Sequence, residues 1–301
     1  MRVFLLFVDG LGVGGPDPEI NPCAREGLRR LGCYRNGAHL VRSDPEADCI
    51  PVDTALGVPG LPQSATGQVS LLTGRNAPKQ LGRHLTGFPN PPLRDLLKSY
   101  SLLKILVENG RTCDFLNTFR DPFFDLPLET QWRLSATTGA ALAAGLKFHR
   151  PEDIEKGDSI YHDMTGESLR GKGFDVPILT VEEAAAIAAR RSETFDLLLF
   201  EYFLTDRAGH SRNPGEAGEE IRKLDAFISG VLARVNLKET LLIVTSDHGN
   251  IEDVSTKSHT RNPVMTLAWG NRKSDFAGRV SDLTHITPAV LNLLGIHDRP
   301  A

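Results

Sequence analysis

Short apolar runs alternate with amphipathic, helix-like segments along most of the chain. Each apolar run is rich in leucine or β-branched residues and ends at polar or glycine residues, a pattern that predicts buried β-strands. The predicted strands are Val3–Val8, Thr112–Asn117, Phe195–Phe203, Leu241–Thr245 and Val264–Ala268.

The segments between these runs repeat leucine or alanine at helical spacing. They predict helices over Pro92–Asn109, Thr180–Arg191, Ala217–Val235 and Thr287–Leu294. The second of these begins with Thr180 followed by Glu183, which is the spacing of a capping box. Apolar strands that alternate with helices predict an α/β fold, a doubly wound and mostly parallel sheet with helices on both faces.

Residues 121–177 interrupt this alternation with prolines and glycine-flanked polar segments. We interpret them as a small cap inserted into a core that is formed by residues 1–120 and 178–301. A long irregular loop is the alternative, although loops of this length without secondary structure are uncommon in compact domains.

Amino-acid composition and charge exclude several classes of function. The chain of 301 residues is 40% hydrophobic and 24% charged, which is typical of a globular protein. Its net charge of -4 and the lack of a basic run argue against a nucleic-acid partner. No apolar run is long enough to span a membrane, and the four cysteines lack metal-binding spacing. We therefore expect a cytoplasmic protein with free thiols and no membrane partner, whereas the oligomeric state stays open.

Ionisable residues follow three of the predicted strands. Asp9 follows the first strand, Asp206 and His210 follow the strand near residue 200, and Asp247 with His248 follow the strand Leu241–Thr245. In an open α/β sheet the carboxyl ends of the strands form the ligand crevice. Mixed aspartate and histidine ligands suit zinc or manganese. Taken singly, each aspartate is better explained as a turn former or a helix cap. The recurrence of such residues at three strand ends favours a metal site instead.

Ser64 lies in a second notable segment, where a proline-containing loop runs into an apolar stretch. Its hydroxyl could lie at a helix N-terminus, where free amides and the helix dipole favour phosphate. Simple helix capping by Ser64 or Thr66 explains the same pattern. Spacing alone leaves both interpretations open.

Gly10–Gly15 satisfies the glycine spacing of a dinucleotide-binding loop after a strand. That fingerprint must open a helix, but Pro16 and Pro18 follow at once. The pattern therefore favours a loop over a dinucleotide site.

Taken together, these motifs resemble the alkaline phosphatase superfamily, and within it the branch of cofactor-independent phosphoglycerate mutase and phosphopentomutase. The resemblance extends in order from residue 8 to residue 264 and says little about residues 121–177. The similar segments are Val8–Gly12, Ser64–Gln68, Asp206–His210, Ser246–Asn250 and Ser258–Val264.

The resemblance implies two divalent metal ions, manganese or zinc, and a serine nucleophile. The ligands of the first ion would be Asp9, Ser64, Asp247 and His248. Those of the second would be Asp206, His210 and His259. His259 is supplied by the resemblance alone. Metal coordination would lower the pKa of the Ser64 hydroxyl, and its attack on phosphate would form a phosphoserine.

We therefore predict a phosphomonoesterase that acts on a small phosphorylated metabolite. The alternative is an intramolecular phosphomutase of a sugar phosphate or phosphoglycerate, and a third possibility is a binding protein without turnover. Gln68 stands where the mutases have histidine. The inserted segment is also short for a cap that must keep water from the intermediate, so the sequence favours hydrolysis.

Overall fold

The computed structural model describes residues 1–25 and 27–297. Six strands form the main sheet: β1 Arg2–Val8, β4 Asp48–Val52, β5 Cys113–Phe115, β6 Leu197–Tyr202, β7 Thr240–Thr245 and β8 Val264–Gly270. A separate antiparallel pair consists of β2 Cys33–Asn36 and β3 His39–Arg42. The order of strands across the main sheet is β4-β8-β7-β1-β6-β5.

Helices connect these strands. In the first half of the chain they are α1 Ser64–Thr73, α2 Ala77–Leu81, α3 Pro91–Tyr100, α4 Leu102–Glu108, α5 Asp121–Phe124, α6 Leu128–Gln131 and α7 Ala136–Ala143. In the second half they are α8 Pro151–Glu155, α9 Glu167–Arg170, α10 Val181–Ser192, α11 Leu204–Ser211, α12 Pro214–Leu232, α13 Lys273–Ala277 and α14 Ile286–Leu293. Short 3-10 helices cover Pro22–Ala24 and Leu283–His285.

Strands β7, β1, β6 and β5 are parallel, so their carboxyl ends lie at one edge of the sheet. Strand β8 is antiparallel to β7, and β4 is antiparallel to β8. Every residue of β6 and β7 is buried, as expected for strands that helices cover on both faces. The predicted α/β class with a mostly parallel sheet is confirmed.

One hydrophobic core lies on each face of the sheet. The first includes side chains of α1, α3, α4, α7 and α14 packed on one face of the strands. The second includes side chains of α10 and α12 on the other face. Side chains of successive β1 residues alternate between the two cores, because neighbouring side chains of a strand point to opposite faces.

Two local features differ from the sequence prediction. Strand β4 was not predicted, since Asp48 and Pro51 are unfavourable in a strand; at the edge of the sheet, however, the missing N–H of a proline is tolerated. The prediction of a single helix over Pro92–Asn109 was wrong. The chain forms two helices, α3 and α4, because Ser101 leaves the helical conformation and its side chain accepts a hydrogen bond from the Lys104 amide as the N-cap of α4.

The segment 121–177 contains five short helices. Helix α7 packs against α1, α3 and α4, and its buried residues belong to the first core. A small separate cluster comprises Ile154, Tyr161, Leu169 and Val176. The division into core and cap remains a prediction, and any cap in this structure shares part of its packing with the sheet domain.

Among the described residues, no helix combines the length and the apolar character needed to cross a membrane. All four cysteines are free thiols.

Candidate metal centre

Three aspartates meet at the carboxyl edge of the sheet because parallel strands deliver them there. Asp9 directly follows β1, Asp206 lies in the first turn of α11 after β6, and Asp247 follows β7. Gly10 turns the chain with a φ of +72°, and a Cβ at this position would lie 2.9 Å from Oδ1 of Asp206. Glycine is therefore required where β1 ends against Asp206.

His259 reaches the same edge from the opposite direction. It precedes β8, and since β8 is antiparallel to β7, the start of β8 lies beside the end of β7. Ligands that follow parallel strands are visible in the sequence pattern, whereas a ligand that precedes an antiparallel strand is not. This explains why only the family resemblance indicated His259.

Asp9, Ser64, Asp247 and His248 form a first group of possible ligands. Nε2 of His248 lies 3.0 Å from Oγ of Ser64, 3.2 Å from Oδ1 of Asp9 and 3.5 Å from Oδ2 of Asp247. Ligand atoms that share one ion at about 2.0–2.2 Å lie roughly 3.0 to 3.6 Å apart. The spacing within this group therefore fits a single cation.

Asp206, His210 and His259 form a second group. Nε2 of His210 lies 3.3 Å from Oδ2 of Asp206 and 3.3 Å from Nε2 of His259. Nδ1 of His210 donates to the Lys257 carbonyl, and Nδ1 of His259 donates to the Pro62 carbonyl. In neutral imidazoles both Nε2 atoms then present lone pairs to each other, which repel unless a cation lies between them.

The two groups are adjacent. The rings of His248 and His259 stack with their centroids 3.7 Å apart. Asp206, His248 and His259 also form a possible ligand set of their own. One ring nitrogen of each histidine and a carboxylate oxygen of Asp206 all lie within 4.8 Å of one another. His248 therefore lies between the groups, although the family resemblance assigns it to the first alone.

Burial and mutual charge shape the electrostatics of this centre. Burial, and then the neighbouring Asp247 carboxylate, raise the pKa of Asp9 well above its usual range. Burial lowers the pKa of His248, but Asp247 and Asp9 outweigh it and raise that pKa to about 10. Oδ1 of Asp9 is buried without a hydrogen-bond partner among the described residues. A concentration of buried carboxylates with an unsatisfied oxygen is the environment that a divalent cation stabilises.

Ser64 does not cap its helix. It is the first residue of α1, whose N-cap is Gln63, and the hydroxyl lies against His248 instead. The Thr66 hydroxyl donates to the Gln63 carbonyl and is likewise no cap. A Cβ at Gly67 would lie 2.6 Å from the Asp247 carbonyl oxygen, so glycine allows α1 to approach this loop closely. The capping interpretation of Ser64 is therefore wrong in this structure.

Gln68 has a structural role that its sequence position did not reveal. Its Nε2 donates to Oδ2 of Asp9, at 3.2 Å, and to Oδ2 of Asp247, at 3.0 Å. The amide thereby holds two carboxylates of the first group in place. A glutamine at this position is thus compatible with an intact ligand group.

Glu252 is a further residue that the sequence analysis missed. It is 1% exposed, and its Oε2 accepts from the amides of Gly12, at 2.9 Å, and Asn250, at 2.7 Å. Its Oε1 accepts from the Thr260 hydroxyl and from Nδ2 of Asn262. One carboxylate therefore joins the loops that carry Asp9, His248 and His259. The signal in the sequence was an acidic residue that follows Asp247 and His248 closely in a short loop.

We expect the substitution Glu252→Gln to destabilise the protein by about 2 to 3 kcal/mol, because the new NH2 group would face two donors that lose their acceptor. Chemical denaturation at neutral pH measures this difference. Glu155→Gln makes the same change at an exposed position and should alter stability by less than about 0.5 kcal/mol. Equal effects of the two substitutions would contradict the role assigned to Glu252.

A cavity of about 640 Å³ opens from Ser64, Asp9 and Asp206. Most of its wall is apolar, and it includes side chains from the segment 121–177. Arg120 and Arg207 line it and are both exposed. Four basic side chains that follow Ser64 in the sequence are not among its lining residues: Arg75, Lys79, Arg83 and His84.

Glu201 is a buried carboxyl group that lines this cavity. Burial raises the pKa of Glu201 to about 7, the Asp247 carboxylate adds to that rise, and a hydrogen bond from Thr137 opposes it. Between pH 4.5 and 7 the folded protein therefore binds a proton that the unfolded chain has released. The contribution of protonated Glu201 to the free energy of unfolding is therefore full at low pH, and it is lost as the pH rises through 7.

Replacement of Glu201 by glutamine removes this titration. Relative to the wild type, Glu201→Gln should gain about 2 to 3 kcal/mol of stability between pH 5 and pH 8, because the variant has no carboxylate to bury at the higher pH. Urea denaturation of the chelator-treated proteins at both pH values measures the change. A difference that is independent of pH would refute the raised pKa.

Comparison with known proteins adds to this geometry. Residues 170–298 match the family model described as Metalloenzyme superfamily. The chain is 25% identical over 130 residues to a 2,3-bisphosphoglycerate-independent phosphoglycerate mutase of Desulforudis audaxviator, a match to 41% of this chain and 26% of that protein. It is 31% identical over 116 residues to the protein of the same name from Rhodopseudomonas palustris, a match to 36% of this chain and 22% of that protein. These matches span about a quarter of the relatives' length.

Two solved structures share the fold. Alkaline phosphatase from the Antarctic bacterium TAB5 aligns with a TM-score of 0.56 at 16% identity, covering 98% of both chains. Leishmania mexicana phosphoglycerate mutase aligns with a TM-score of 0.59 at 11% identity, covering 99% of this chain and 96% of that one. The resemblance predicted from the motifs is confirmed: the chain is similar to the Metalloenzyme superfamily over residues 170–298, to phosphoglycerate mutases over 36 to 41% of its length, and to alkaline phosphatase in its fold.

Proposed function

We propose that the protein is a two-metal phosphoryl-transfer enzyme that hydrolyses a small phosphomonoester through a phosphoserine at Ser64. The observation that carries this proposal is the position of the Ser64 hydroxyl. It lies 3.0 Å from His248, within the first ligand group, and it faces a cavity that also exposes Asp206 of the second group.

The proposed ligands are those assigned from the sequence. Asp9, Ser64, Asp247 and His248 would hold one divalent cation, manganese or zinc, and Asp206, His210 and His259 would hold the other. When bound, these cations would lower the pKa of the Ser64 hydroxyl and offset the charge of the phosphate. Gln68 and Glu252 support this arrangement, since both orient groups or loops of the ligand set.

Ser64 would supply the oxygen that attacks phosphorus. The Oγ–P bond forms as the ester P–O bond breaks, and the leaving alcohol takes up a proton. A water molecule then attacks the phosphoserine, and Ser64 regains its hydroxyl as inorganic phosphate leaves. The cavity beside Ser64 would hold the leaving alcohol during the first step.

An intramolecular phosphomutase is the second candidate, because the curated relatives are named as phosphoglycerate mutases. A mutase must return the phosphate from Ser64 to another hydroxyl of the same substrate. Gln68 and the modest segment 121–177 favour hydrolysis over this outcome.

A two-product assay separates the candidates. With manganese or zinc, the protein should release inorganic phosphate from p-nitrophenyl phosphate and from at least one metabolite of a phosphomonoester panel. A phosphatase yields free phosphate in amounts equal to the alcohol. Isomerised ester with little free phosphate would instead identify a mutase, and neither product from any substrate would refute both.

A further inference from the structure

The cavity beside Ser64 is much larger than a phosphate group. Its volume of about 640 Å³ lies in the range that holds an entire small ligand. Apolar side chains dominate the wall, including Phe115, Phe119, Phe123, Leu126 and Leu134. The part of a substrate that occupies this space must therefore offer apolar surface, because polar groups buried against phenylalanine would lose their hydrogen bonds to water.

The aromatic wall is already packed in position. The Phe119 ring lies 4.4 Å from the Phe123 ring and 4.8 Å from the Phe148 ring, with the latter pair edge to face. Such contacts fix ring orientation and reduce the cost of binding another ring.

A second cluster of tilted rings completes the lining. The His162 ring lies 4.1 Å from Tyr161 and 4.6 Å from Phe203, and all three residues line the cavity. Burial lowers the pKa of His162 to about 4, so this ring is neutral near pH 7 and adds no charge. A flat ring system is the ligand shape that such walls accept.

Glu201 is a polar exception in the apolar wall. Its Oε2 accepts from the Thr137 hydroxyl at 2.6 Å. Its backbone is held on both sides by Asn117, whose side chain accepts from the Glu201 amide at 2.9 Å and donates to the Glu201 carbonyl at 2.8 Å. Within the described part of the chain, Oε1 has no hydrogen-bond or ion-pair partner. A fixed carboxyl with one free oxygen is ready to accept a hydrogen bond from a ligand.

We propose that the substrate is a phosphomonoester of a ring-containing, largely apolar alcohol or phenol that carries a hydrogen-bond donor, and that Glu201 binds this donor. This inference rests on the phosphoryl transfer proposed above and specifies its substrate class. The donor is a hydroxyl or an amine, since both present the N–H or O–H that Oε1 accepts. Glu201 then determines specificity, whereas Ser64 determines reactivity.

The lining argues against a small, highly polar leaving group. Two of the lining residues, Arg120 and Arg207, are cationic, but both are exposed, so that water and salt screen their attraction for a carboxylate. Most of a set of sugar hydroxyls among the phenylalanine rings would lose their hydrogen bonds to water without replacement, and Glu201 would repel a carboxylate. We therefore expect 3-phosphoglycerate to be a poorer substrate than an apolar aryl ester.

The first test compares the rates at which the metal-loaded full chain hydrolyses a set of matched substrates. Phenyl phosphate, 4-(hydroxymethyl)phenyl phosphate, 4-(aminomethyl)phenyl phosphate, glucose 6-phosphate and 3-phosphoglycerate cover the alternatives. We expect one of the two donor-bearing aryl esters to exceed phenyl phosphate at least about tenfold in kcat/KM, and the winning ester identifies the donor. Both polar esters should be poorer than phenyl phosphate. A preference for 3-phosphoglycerate or glucose 6-phosphate would overturn the proposal.

The variant Glu201→Gln tests whether Glu201 binds the hydrogen-bond donor of the substrate. Its amide places a donor where the carboxyl offers an acceptor, so the ratio of the preferred ester to phenyl phosphate should fall at least fivefold. Glu201→Leu, which offers no hydrogen bond, should reduce the ratio as well, and thermal melting confirms that each variant folds. Glu155→Gln serves as the exposed control and should keep the wild-type ratio. An unchanged ratio in both Glu201 variants would refute its role.

Binding of the unphosphorylated products tests the proposed substrate class independently of catalysis. Titration of phenol, 4-(hydroxymethyl)phenol and 4-(aminomethyl)phenol, followed by ligand-observed NMR, requires no phosphoryl transfer. A donor-bearing phenol should bind at least about tenfold more tightly than phenol, and Glu201→Gln should remove that difference. Equal affinities would overturn the substrate class, whereas loss of phosphate release alone would overturn the proposed function.

Discussion

Replacing Ser64 with alanine is expected to reduce kcat for phosphate release by on the order of 10⁴-fold or more, because the variant has no oxygen to form the covalent intermediate. The rest of the centre should stay in place, since Ser64 makes no capping bond that holds α1. Phosphate release from p-nitrophenyl phosphate at saturating metal measures the loss. Mass spectrometry of the acid-quenched wild type should show a phosphorylated Ser64 that the variant lacks.

Ser99→Ala is the matched control. Ser99 is an exposed residue of α3, and the same chemical change there should leave kcat within about twofold. Activity of Ser64→Ala that approaches the wild type would show that water attacks the substrate directly. The ligand groups would then serve a mechanism without a phosphoserine.

Removal of divalent metal is expected to abolish activity and to lower the melting temperature. The buried carboxylates of Asp9 and Asp247 repel each other without a cation, and so do the facing Nε2 atoms of His210 and His259. A metal present at 100 times its Kd stabilises the folded state by about 2.7 kcal/mol, which corresponds to a rise of about 4 °C in the melting temperature of a chain of 301 residues. Calorimetry before and after chelation, followed by addition of manganese or zinc, measures the shift and its reversal.

Metal analysis of variants distinguishes the two groups. His259→Ala should retain about one ion per chain, whereas the wild type should hold two. His39→Ala removes an exposed imidazole of the hairpin and should retain both ions. Two tightly bound ions in His259→Ala would exclude this histidine as a necessary ligand, and a melting temperature unaffected by chelation would argue against metal binding at this centre.

The positions of the strands were accessible from the sequence because their burial is nearly complete. Five predicted strands correspond to strands of the main sheet, since a strand covered on both faces must be continuously apolar. Edge strand β4 carries Asp48 and Pro51 and therefore lacks this signal. The break between α3 and α4 was also hidden, because leucine spacing continues across Ser101 while the backbone does not.

Three of the aspartates were predictable as neighbours from the sequence. Each follows a parallel strand, and parallel strands end at one edge. Distances between side chains were not predictable. The pattern of strand ends specifies the edge of the sheet at which the side chains lie, but not the directions in which they point. Ser64 illustrates the difference: its sequence context is that of a helix cap, and only the packing of α1 against Asp247 turns its hydroxyl toward His248.

The amino-acid sequence by itself determined the α/β class, the edge where polar side chains collect and, through its motifs, the likeness to metal-dependent phosphoryl-transfer proteins. These properties follow from local periodicity and from short segments whose residues act close to one another in the chain. The tertiary structure alone decided the roles of Gln68, Glu252 and Glu201. Their partners Asp9, Gly12 and Thr137 lie far away in the sequence, and contacts between distant segments exist only once the sheet and its helices have packed.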